Sequence, residues 1–261
     1  MSGESLWLHG PVEAFLLPAG ADGMEVSGVV RGLGLTYHGL DVAGEGMGIG
    51  GAVLRLHGRT YFPLSHKDTL QEGSAVRKLE LNGLSRRYLG PLDVTTLHRR
   101  IRERLTPTYL GGGNASSLFR LLMKIRSHLL KTRYVKVETA ELCEVRYTFS
   151  EDTIKVRVLR ERGCGTLIVA NELSGELFDC VVLDGRATEP GPWSRIKHRS
   201  PTLASKKLGL DIQFLFPEGF EVFAGREFQP PRLNWSGVDI ALDEGVKEAE
   251  YTVKISCKTS R

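Results

Sequence analysis

Between residues 143 and 158 polar and apolar side chains alternate almost without fault. Cys143, Val145, Tyr147 and Phe149 fall on one side and Glu144, Arg146 and Thr148 on the other; after Ser150-Glu151-Asp152, Ile154, Val156 and Val158 alternate with Lys155 and Arg157. A period of two is that of a strand with one face in a core, so the stretch predicts a β-hairpin. Leu208, Leu210, Ile212, Phe214 and Phe216 repeat the pattern, as do Tyr251, Val253, Ile255 and Cys257. Shorter strands are expected at 12–17, 24–31, 34–38, 52–57, 60–62 and 75–81. One-sided strands belong to antiparallel sheets packed face to face or closed on themselves, not to the doubly covered parallel sheets of nucleotide-binding α/β folds. The expected fold is mainly β: an antiparallel β-sandwich or distorted barrel.

One segment breaks the alternation. In TTLHRRIRERL, from Thr95, Leu97, Ile101 and Leu105 recur every four residues, with Asp93 or Thr95 as cap and Pro107 as stop. Beyond Gly111-Gly112-Gly113-Asn114, Ser116 or Ser117 can cap a second helix whose Leu118, Leu121, Leu122, Ile125 and Leu129 form an apolar stripe. A two-helix insertion near the middle is therefore expected. The chain divides into an N-terminal β part (1–90), a basic helical pair (91–132) and a C-terminal β part (133–261) that completes the same domain.

The formal charge of +4 is unevenly spread. Basic residues number three against six acidic ones in 1–66, fifteen against five in 67–137, and seventeen against twenty in 138–261. Clustered cations are the footprint of a polyanion, because each neutralised phosphate releases counterions, and a basic amphipathic helix also suits an anionic membrane surface. Arg99, Arg102, Arg120, Lys124 and Arg126 are the expected anion contacts. A nucleic acid or an anionic membrane surface is the expected partner class, with internal pairing to neighbouring acids as the bland alternative. The apolar stripe of the second helix could equally pack against another copy in a homo-oligomer.

With 41% hydrophobic and 25% charged residues among 261, the chain has ordinary globular usage and enough length to bury a core without disulfides. Asn and Gln together number only seven, a depletion typical of hyperthermophile proteins, so a thermophilic source is expected. Cys143, Cys164, Cys180 and Cys257 contain no C-x-x-C pair, which argues against a zinc ribbon; a Cys143–Cys257 bridge remains open. The N-terminus lacks the cationic start and apolar run of a signal peptide, and no run is long enough to span a bilayer. The expected location is cytoplasmic.

Candidate chemistry is sparse. GEGMGIGGAV, residues 44–53, matches G-x-G-x-x-G at Gly46, Gly48 and Gly51, but strands rather than a helix are expected to follow it, so it reads as bulged or flexible backbone and not as a dinucleotide cradle. No histidine pair has metal-ligand spacing, and neither a metal nor a cofactor is expected. Ser194-Arg195-Ile196-Lys197 fits S-x-x-K without its accompanying motifs. Ser65-His66-Lys67-Asp68, in an expected turn after Pro63, could orient His66 as a general base through Asp68. The run FAGREFQPPRLNWSGVD places Arg226, Arg232, Asn234, Trp235 and Asp239 in one expected loop, a set of planar hydrogen-bonding groups with an indole that suits a sugar or carboxylate ligand. The first functional expectation is a binding or interaction protein that engages an anionic ligand through the basic helices. The second is a carbohydrate-active enzyme near Trp235, with His66, Asp68 or Asp239 as acid–base candidates, and the third is an assembly subunit.

Overall fold

The computed structural model describes residues 5–19, 28–44, 46–88, 132–229 and 233–257. Of the helical pair expected in 91–132, residues 91–131 with all five cationic contacts lie outside the described residues, and so does Arg232, while Thr132 begins a strand; no helix occurs among the described residues. None there is long and apolar enough to cross a membrane.

Among the described residues, eighteen antiparallel strands form one hydrogen-bonded sheet. In chain order they are β1 Trp7–His9, β2 Val12–Leu16, β3 Leu33–Tyr37, β4 Leu40–Asp41, β5 Gly48–Leu56, β6 Arg59–Gln71, β7 Ser74–Tyr88, β8 Thr132–Phe149 and β9 Thr153–Arg160, followed by β10 Thr166–Ser174, β11 Cys180–Leu183, β12 Arg186–Thr188, β13 Ser194–Ile196, β14 Thr202–Ser205, β15 Leu210–Leu215, β16 Glu221–Gln229, β17 Leu233–Leu242 and β18 Glu248–Cys257. Pairing runs β13, β16, β17, β10, β5, β6, β7, β8, β9, β18, β15, β14, β11, β12, with β3, β2 and β1 branching from β5.

The ribbon folds back on itself. Tyr147 of β8 donates its hydroxyl to the Ile49 carbonyl of β5 at 3.0 Å, and Tyr251 of β18 donates to Asn171 Oδ1 of β10 at 2.5 Å. Between the two layers lie Leu54, Val145, Val156, Leu167, Ile212, Phe214, Val238 and Val253, all fully buried. The predicted hairpin is present as β8 and β9, with Val145 opposite Val158 and Tyr147 opposite Val156.

Three expectations need correction. The four cysteines are free. Strand β9 lies between β8 and β18, with Cys143 opposite Arg160 near the start of β18 and Cys257 at the other end of β18, so the two are separated both across and along the strands, beyond the reach of a disulfide. Secondly, His66 and Asp68 sit within β6, not in a turn. Proline does not end that strand because the register shifts between Pro63 and Ser65, and a bulge is one of the places where a strand tolerates proline. Thirdly, residues 223–239 are not a loop: apart from 230–232, which are not described, they belong to the paired strands β16 and β17.

The glycine-rich run is also part of a strand. Opposite β10, Gly51 pairs with Ala170 and Ile49 with Asn171, so Gly50 is the extra residue of a bulge. It has φ +74°, and a Cβ there would lie 2.8 Å from the Tyr147 hydroxyl. Every residue from Gly48 to Leu54 is buried, so the run is packed backbone.

Candidate functional site

Strands β5 and β10 differ from the one-sided strands of the sequence reading, because all but their ends are buried on both faces. On β10 this matters chemically: Asn171 and Glu172 are adjacent, point to opposite faces, and are 0% and 1% exposed.

Asn171 faces the core between the layers. Its Oδ1 accepts the Gly50 N–H at 3.1 Å as well as the Tyr251 hydroxyl, while Nδ2 donates to the Val238 carbonyl at 2.9 Å. Burial pushes both Tyr147 and Tyr251 above their ordinary range, so both stay neutral donors.

Glu172 faces the other way. Its Oε2 accepts the Met47 N–H at 3.0 Å, and Gly46 packs so closely that an added Cβ would lie 2.6 Å from the Glu172 carbonyl oxygen. Arg31 braces the same run from its far side, donating Nε to the Gly46 carbonyl at 2.8 Å and Nη2 to the Gly44 carbonyl at 2.5 Å. The glycine-rich segment therefore does hold a carboxyl group through a backbone amide, and that group is the chain's own Glu172.

The face carrying Glu172 continues onto β17 as Trp235, Gly237, Asp239 and Ala241. Trp193, Phe223, Trp235 and Ala241 form an apolar cluster there, separate from the main core. Gly237 pairs with Gly225 of β16, and the two make a notch for Trp193. A Cβ on Gly237 would lie 2.7 Å from Trp193 Cη2 and 3.1 Å from Glu172 Cγ, and one on Gly225 would run into the Trp193 backbone.

Asp239 is fully buried beside this cluster. Its Oδ1 accepts the Asn171 N–H at 2.9 Å, while Oδ2 has no hydrogen-bond partner among the described residues. Burial pushes its carboxyl well above the ordinary value, the Glu172 charge adds to the rise, and the Asn171 N–H opposes it. Trp235 Nε1 is a second buried polar atom without a partner among the described residues. Both orphans lie on one strand face, roughly 13 Å apart along β17.

Of the residues expected from sequence, Trp235 and Asp239 share one face of β17, whereas Asn234 and Arg226 lie on the opposite face of the same strand pair. Arg226 donates Nε and Nη2 to Asn234 Oδ1 at 3.1 and 2.9 Å, which closes the end of the strand pair beyond Trp235. His66 and Asp68 lie elsewhere. Arg77, 2% exposed, donates to both Asp68 oxygens at 2.8 and 2.7 Å and also to the carbonyls of Leu17 and Arg31. His66 Nε2 is 3.7 Å from Asp68, too far for a hydrogen bond. It lines an open cleft of about 480 Å³ with Ser65, Lys78, Glu80, Glu144 and Glu161, to which β10, β16 and β17 contribute nothing. Ser194 begins the edge strand β13. Among the described residues no His, Cys, Asp or Glu cluster has the makings of a metal site.

Sequence reading passed over Glu172 and Trp193. The signal for Glu172 was available: an Asn-Glu pair inside TLIVANELS, where every neighbour is apolar or small.

No protein-family model and no curated protein matches the chain. Among solved structures, a galactose mutarotase-like protein from Lactobacillus casei ATCC 334 is similar at 9% identity and a TM-score of 0.44, over 95% of this chain and 98% of that one. Assignment of the site rests on the residues above.

Proposed function

We propose that the protein is an enzyme of the general acid–base type acting on a neutral, sugar-like ligand at the outer face of β10, β17 and β16. The observation that carries this reading is the pairing of Asp239, fully buried with one oxygen unpartnered among the described residues and its carboxyl pushed upward by burial, with the buried Glu172 carboxyl anchored on the Met47 N–H. Two carboxyls whose environments push their protonation apart can serve as acid and base together. Asp239 donates its proton to one oxygen of the ligand while Glu172 removes one from a hydroxyl, and return of that proton from Glu172 to Asp239 resets the pair. Trp193 and Trp235 supply aromatic faces for the C–H surface of a sugar ring, and the Trp235 N–H supplies a donor. Retention of a buried, unpaired polar atom costs stability, which is the usual signature of a site kept for function.

Saturation-transfer NMR against a panel of neutral mono- and oligosaccharides tests the reading. At least one sugar should bind, and Trp235→Phe, which keeps an aromatic face but removes the indole N–H, should weaken that binding about tenfold, the worth of one hydrogen bond of about 1.4 kcal/mol. Failure of every sugar to bind overturns it.

A second reading rests on the excess of fifteen basic over five acidic residues in 67–137: an anionic partner met by Arg99, Arg102, Arg120, Lys124 and Arg126. Binding of generic RNA or duplex DNA should then be detectable at about 50 mM salt and fall steeply by about 200 mM. Absence of binding at the lower salt rejects the nucleic-acid form of that reading.

A further inference from the structure

Glu172 and Asp239 are both at most 1% exposed, so a ligand reaches them only if something moves. We propose that residues 189–193 form a hinged strap whose Trp193 indole covers the site and swings out to admit the ligand; the proposal rests on reading Glu172 and Asp239 as that site.

Four observations support a strap in place of a fixed core residue. Within the strap Pro190 and Trp193 are buried, while Glu189, Gly191 and Pro192, and Ser194 and Arg195 just beyond it, are exposed, so two side chains hold an otherwise solvent-facing segment. Its cluster with Phe223, Trp235 and Ala241 is separate from the main core, and so the indole can leave without opening the two layers. The flanking elements are edge strands of three residues each, β12 held by β11 alone and β13 by β16 alone. Finally, a cavity of about 100 Å³ lies on the strap's other side, lined by Val181, Leu183, Thr188, Ile196 and Ala224 as well as the strap itself, which leaves it room to shift. Pro190 and Pro192 stiffen the segment, which favours hinging at its ends over gradual fraying.

Beside an ion pair between Arg226 Nη1 and Glu189 Oε1 at 3.9 Å, strap and sheet share a backbone bond from the Arg226 N–H to the Gly191 carbonyl at 2.8 Å. Native-state hydrogen exchange reads it directly. The Arg226 amide should exchange at least a hundredfold faster than the Asn171 amide held by Asp239, at a rate indifferent to low urea, as a local opening requires. If both amides exchange only through the urea-sensitive global route, there is no strap. Sugar binding is read separately on Trp193→Gly, which removes the cover: fast Arg226 exchange with no sugar bound by either protein retains the strap and rejects the sugar site. Tighter binding by the variant than by the wild type supports both, and equal binding by the two proteins rejects the indole as the cover.

Discussion

Arg160→Ala should cost about 3–5 kcal/mol of stability in urea unfolding, the loss that follows when one partner of a buried ion pair is removed. The Arg160 and Glu141 side chains are both 0% exposed, with Nε 3.5 Å from Oε2. Glu141 also accepts four backbone N–H groups, from Leu142, Arg162, Gly163 and Cys164, at 2.7 to 3.2 Å. Arg160 spends Nη1 on the carbonyls of Leu242, Asp243 and Val246 at 3.1 to 3.4 Å, and Nη2 on those of Cys164 and Gly165 at 2.5 and 3.1 Å. The pair thereby ties the turn after β9 to the turn after β17, where the two layers meet. Truncation to Ala strands a buried carboxylate and five carbonyls. Replacing both charges with apolar residues of similar volume should cost less than the two single changes together, since neither charge is then left alone. A loss below about 1 kcal/mol for Arg160→Ala would mean that water takes over these groups.

Asp239→Asn should move stability and activity in opposite directions. The folded carboxyl holds its proton well above the pH at which an unfolded aspartate, with a pKa of about 3.9, releases it. Across that interval the unfolded chain binds fewer protons, so wild-type stability falls as pH rises, by up to about 1.4 kcal/mol per pH unit, until the folded carboxyl itself ionises. Asparagine keeps the Oδ1 that accepts the Asn171 N–H and has nothing to titrate. Its advantage should therefore be absent near pH 4 and grow toward pH 7. Turnover of a bound sugar should meanwhile drop by about 10²–10⁴, the range for loss of a general acid. An Asn variant no more stable than wild type at neutral pH would show that Asp239 is ionised there.

The sequence conveyed strands β8, β9, β15 and β18 well because each buries one face and leaves the other wet, and the alternation records that directly. It conveyed β5 and β10 poorly. Strands buried on both faces lose the period of two, so TLIVANELS carries no strand signature beyond its apolar content, although the glycine run was legible as bulged backbone and Gly50 is a bulge. Glu172 was missed for the same reason, although a carboxylate inside such a run has to be satisfied by something. Asp239 and Trp235 were found by residue type in a stretch misread as loop. Trp193 was not found, because its role depends on the absence of two Cβ atoms, at Gly225 and Gly237, that meet only through strand pairing. His66 and Asp68 are two positions apart on one strand, but the guanidinium that claims Asp68 comes from Arg77, nine positions away on the next strand.

If Asp239 and Glu172 act as acid and base on this sheet face, the proton rests on Asp239 at ordinary pH. Infrared difference spectroscopy of the carbonyl stretch of protonated carboxyls tests it most directly. At pH 7 the wild type should show a protonated-carboxyl band that disappears in Asp239→Asn and persists in Glu172→Gln, since burial is the main cause of the raised affinity for the proton. A wild-type spectrum without that band, or a band removed by Glu172→Gln and kept by Asp239→Asn, would contradict the account.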